Sequence, residues 1–109
     1  MNEKLENLCI LVYNKIKNNS TKQKPITAQK IRADLEINRR DLQKILFELR
    51  KTYPIVAKET IPAGYYIATC EDDIIEFEQL LQNHIKGHEE TLKLMNTYLA
   101  DYGSVPVID

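Results

Sequence analysis

The stretch ITAQKIRADLEINRRDLQKILFELRK, residues 26–51, decides the fold. Its second half carries the stronger signal. Asn38 can cap the free backbone N–H groups of a first helical turn, and Asp41 complements the same positive helix end. Ile37 stands just before that cap and Leu42 at the fourth helical position, the spacing of a hydrophobic staple. Leu42, Ile45, Leu46 and Leu49 then recur at helical spacing, which predicts a core-facing stripe on a helix from Asn38 to about Lys51. The first half repeats the device, with Thr27 as cap and Ile26 and Ile31 as staple. Only Leu35-Glu36-Ile37 separates the two, so the stretch reads as a helix-turn-helix.

Downstream, Tyr53-Pro54 stops the helix, because a residue before proline is pushed towards extended backbone. Ile55–Ala57 and Tyr65–Ala68 read as two short strands, and Glu59–Gly64 between them carries the proline and glycine of a turn. Ile55, Tyr65 and Ile67 are expected to cover the core. Phe47 falls off the core stripe and is placed against Tyr53; if exposed, it points to a protein contact rather than a DNA contact. Upstream, Leu5, Leu8, Cys9, Val12 and Ile16 predict a helix over residues 3–18, with Lys15 and Lys17 near its negative end. Asn18-Asn19-Ser20 ends it, and Thr21–Pro25 forms a basic loop.

Ile26-Thr27-Ala28, Ile31, Leu35, Ile37-Asn38-Arg39, Leu42, Leu46, Leu49-Arg50 and Ala63-Gly64-Tyr65-Tyr66 together resemble the winged helix-turn-helix fold. The particular likeness is to the DNA-binding domain of biotin protein ligase/repressor proteins, with Ala63–Tyr66 at the wing's Gly-Tyr corner. The whole chain is similar to small phage and prophage proteins that add a long helix after such a domain. The resemblance implies that the second helix of the motif reads a major groove. Arg39, Arg40, Gln43 and Lys44 lie off its core stripe on the first two turns, where such a motif meets DNA. The wing segment departs from the pattern, since Lys58 is its only basic residue.

Charge divides the chain. Residues 1–58 hold 13 Lys+Arg and 6 Asp+Glu, a net +7, while residues 59–109 hold 2 and 10, a net −8; the sum is the formal −1. A basic half suits phosphate neutralisation, and an acidic half would point away from it. Two solvated charged faces would give the same arithmetic. Thr69 or Glu71 caps a last helix over about Asp72–Tyr102, some 45 Å long at about 1.5 Å per residue. Ile74, Phe77, Leu81, His84, His88, Leu92, Met95, Leu99 and Tyr102 recur along it in steps of three and four. Beyond Gly87, a candidate hinge, that stripe has nothing in the chain to cover it, so it predicts a homodimer through Leu81, His84, His88, Leu92, Met95, Leu99 and Tyr102.

Other chemistries have little support. His84 and His88 are one turn apart but have no third ligand nearby, so no metal is expected. Cys9 and Cys70 read as two buried thiols rather than a disulfide. With three glycines in all, no phosphate-cradling loop is present, and no nucleophile sits beside a histidine partner. Neither a membrane span nor a signal peptide is apparent, which places the chain in a bacterial or phage-infected cytoplasm. The expected fold is mainly α (α+β): a winged helix-turn-helix with a small two-stranded wing over residues 1–69, then a long dimerisation helix over 70–109. The expected function is sequence-specific binding of double-stranded DNA as a homodimer, in transcription or replication, with no enzyme activity, cofactor or small-molecule substrate. Asn38, Arg39, Arg40, Gln43, Lys44, Lys22, Lys24 and Thr27 are the candidate DNA contacts. The alternative is a non-enzymatic module that docks on a host protein.

Overall fold

The computed structural model describes the backbone of residues 3–104 and the side chains of residues 3–98. In chain order the elements are α1 (Glu3–Asn19), α2 (Ala28–Leu35), α3 (Arg39–Arg50), β1 (Ile55–Lys58), β2 (Gly64–Ile67) and α4 (Glu71–Ser104). Mainly helical, with one two-stranded antiparallel sheet among the described residues, this order is compatible with a winged helix-turn-helix layout. The chain divides into two compact units, Met1–Phe77 and Glu78–Asp109, so the start of α4 belongs with the first.

Both anticipated caps form. The Thr27 hydroxyl accepts the Lys30 N–H at 3.1 Å, and the Asn38 side-chain oxygen accepts the Asp41 N–H at 2.8 Å. Ile26, Ile31, Ile37, Leu42, Ile45, Leu46 and Leu49 are buried in one cluster with Cys9, Val12 and Ile16 of α1. The turn between α2 and α3 relies on Glu36, which takes the left-handed conformation at φ 53° and donates its N–H to the Arg32 carbonyl. A glycine is usual there, so nothing in the residue types marks the position.

The hairpin pairs Ile55 with Ile67, Val56 with Tyr66, Ala57 with Tyr65 and Lys58 with Gly64. Ile55 is buried in the core, and Tyr65 and Ile67 pack against it, as the alternation suggests. The opposite face is buried too: Val56 and Tyr66 are nearly inaccessible. Ile26 forms an isolated antiparallel bridge with Tyr65, its N–H donating to the Tyr65 carbonyl at 2.9 Å and its carbonyl accepting the Tyr65 N–H at 2.7 Å. Gly64 is what allows that approach. It sits at φ 148°, and a Cβ there would lie 2.5 Å from the Ile26 carbonyl oxygen.

Two local expectations need correction. Tyr53 stacks on Tyr13, with ring centroids 4.0 Å apart, rather than on Phe47; Tyr13 reaches it from α1, and Phe47 is 64% exposed beneath the Lys51 ammonium. Cys70 is exposed, because it stands immediately before the first turn of α4; only Cys9 is buried, and that burial pushes its thiol pKa up. α4 runs helical through Gly87, as the helix expected over about Asp72–Tyr102 does.

Candidate nucleic-acid interface

α3 fixes its working side chains by burying the opposite face. Leu42, Ile45 and Leu46 are inaccessible, which leaves Arg39, Arg40, Gln43 and Lys44 exposed on the first two turns. None of these four makes an ion pair or side-chain hydrogen bond to another described residue. Several other cations of the basic half are engaged internally. Lys15 and Lys30 both reach Asp34, at 2.7 and 3.3 Å, and Lys51 pairs with Glu48 at 3.1 Å. Arg50 donates through Nε to the Ile55 carbonyl at 2.9 Å, with its guanidinium 4.9 Å from the Phe77 ring centre. Burial lowers its pKa. Arg32 leans towards the Ile37 carbonyl at 3.4 Å.

One further sequence candidate, Lys22, takes up a structural duty, and so does Lys58, which was not among the candidates. The Lys22 ammonium lies 3.0 Å from Asp73 and 3.2 Å from Glu76, at the start of α4. Lys58, the lone basic residue of the wing, donates to the Lys22 carbonyl at 3.0 Å. Lys24, Thr27 and Asn38 remain exposed, the last two with one side-chain acceptor already engaged as a cap. Phe47 was the ambiguous residue, and it shares a shallow open depression with Leu5, Gln43, Lys44 and Glu48.

Asp73, in the first turn of α4, is 2% exposed and accepts the Thr69 N–H at 3.1 Å. That backbone hydrogen bond and then the Lys22 ammonium hold its carboxyl below the usual carboxylate range. The folded state therefore releases this proton more readily than the unfolded chain does. Its stabilising contribution is whole above the ordinary carboxylate range and is lost as pH falls through it to the depressed folded value. Asp73→Asn should lower the urea midpoint at neutral pH, and the gap to the parent should close on acidification. A gap independent of pH would show that the ionised carboxylate is not what matters.

On α4, Leu81, His84, His88, Leu92 and Met95 are all exposed. The Leu99 and Tyr102 side chains lie outside the described residues. No described helix is long and apolar enough to cross a membrane. Among the described residues, no group of three His, Cys, Asp or Glu side chains is placed to hold a metal ion. Comparison with protein-family models, curated proteins and solved structures finds no match.

Proposed function

We propose that this chain is a winged helix-turn-helix protein that binds double-stranded DNA sequence-specifically, as a homodimer. One observation carries the reading: the four polar side chains on the first two turns of α3 are exposed and unengaged, while many neighbouring cations are tied down. Arg39 and Arg40 supply base-edge or phosphate contacts, Gln43 base-edge contacts, and Lys44 and Lys24 phosphate contacts. Thr27 and Asn38 sit at helix starts, where backbone N–H groups favour an anion. The homodimer rests on α4, where Leu92 is 61%, Leu94 59% and Met95 47% exposed. Fully burying such side chains is worth roughly 1.5–3 kcal/mol each.

Duplex binding to genomic fragments, titrated with salt, tests both parts. Affinity should fall linearly on logarithmic axes, with a slope near −0.9 for each phosphate neutralised. Leu92→Asp with Met95→Asp should give a folded monomer with most of that affinity lost, because each copy then reads one half-site. A parent protein with no preference among fragments and no salt dependence would sink the reading.

A second reading, docking on a host protein without DNA, is favoured by Phe47 alone, which is 64% exposed beside the same cations.

A further inference from the structure

From Glu78 to Tyr98 the chain carries five charged residues: Glu78, Lys86, Glu89, Glu90 and Lys93. α4 is continuous there, and at roughly 100° per residue all five fall within one half of its circumference. The other half holds Leu81, Leu92, Met95 and Tyr98, with His84 and His88 diametrically opposite the charges. They are the two imidazoles on that half. Both are exposed in a single chain.

Two imidazoles one helical turn apart on one face can hold the same ion. One chain stops there, with two nitrogen donors, and a single described chain offers no third ligand. Zinc completes its shell with four donors, and imidazole nitrogens suit it and its neighbours in the first transition row. A second α4 laid in parallel and in register against the uncharged half brings its own His84 and His88 to the same level. The donor count then becomes four. No lysine lies on that half to repel a dication, since Lys86 and Lys93 are both on the far side.

We infer that His84 and His88 of two copies together form a four-nitrogen site for a zinc-type divalent ion, which locks the α4 seam. This rests on the homodimer reading, and it makes the site incomplete in any single chain. Each imidazole offers one unprotonated nitrogen to the ion.

The test is sedimentation equilibrium of the full chain with zinc chloride and with EDTA, on a Cys70→Ser background to remove the exposed thiol. Zinc should tighten the dimer by about tenfold or more, as expected of a ligand that binds only the associated form. His84→Gln with His88→Gln should abolish that response without altering the helix content seen by circular dichroism. Cobalt(II) in place of zinc should give visible bands of a tetrahedral centre, absent from the double variant. Equal dimerisation in zinc and in EDTA overturns the metal site and leaves the homodimer standing. A monomer under every condition removes both. Zinc taken up by a protein that stays monomeric, or a full response in the double glutamine variant, also overturns the shared site.

Discussion

Arg39→Ala combined with Arg40→Ala should abolish preferential binding to target duplex while leaving the urea midpoint unchanged. Both side chains are exposed and pair with no other described residue, so their removal opens no cavity and orphans no described buried partner. Each bidentate contact to a base edge is worth about 1–3 kcal/mol. Together the two lost contacts should weaken binding at least about thirtyfold at fixed salt. Lys44→Ala is the informative comparison. As a phosphate contact, its loss should weaken all duplexes alike and reduce the salt slope by about one. A double arginine variant that binds target and random duplex as the parent does would mean that α3 is not the reader. Phe47→Ala would then be the next substitution to examine, against candidate protein partners.

The largest effect on folding should come from Gly64→Ala. A Cβ at this position would lie 2.5 Å from the carbonyl oxygen of Ile26 and 2.7 Å from its carbonyl carbon, both backbone atoms that cannot rotate away. The φ of 148° adds conformational strain for any L side chain. Strain and overpacking each run to about 1–3 kcal/mol, so a loss of roughly 3–5 kcal/mol is expected, a large share of a small domain's stability. The urea midpoint should drop accordingly, with an unchanged denaturant slope if unfolding stays two-state. Gly87→Ala is the control with the opposite sign. An added Cβ there meets nothing within 4 Å, and alanine favours a helix interior over glycine by about 1 kcal/mol. Near-parental stability of Gly64→Ala would show that the Ile26–Tyr65 bridge is dispensable.

Caps, staples and the apolar stripes were legible because they are local: Thr27, Asn38, Ile31 and Leu42 act within one turn of where their sequence neighbours place them. The strands were legible for the same reason, with small differences at their ends. What escaped depends on distant partners. Lys22 looks like any loop lysine until Asp73 and Glu76 arrive from beyond residue 70 to hold it. Tyr13 gives no sign in its own segment that it will stack on Tyr53 and so displace Phe47 into solvent. Glu36 fails differently: the left-handed turn is there, but a residue type unsuited to it hides the position. For the interface, the exposed set on α3 could be listed in advance, because exposure follows from the buried stripe. Which cations stay unengaged could not, because that depends on where each carboxylate ends up.

The bridge between Ile26 and Tyr65 bears on how the molecule assembles in time. It closes a long loop that contains α2, α3 and most of the hairpin. Contacts so far apart in sequence form only after the chain has met the entropy of closing that loop. α2 is one eight-residue helix and α3 one of twelve, lengths at which an isolated helix is marginal in water. Both helices therefore depend on packing, against α1 and against the hairpin that returns to Ile26, the residue directly preceding the Thr27 cap. α3 and the hairpin are thus tied together by a contact between residues far apart in sequence, and a chain that stops short of Tyr65 lacks it.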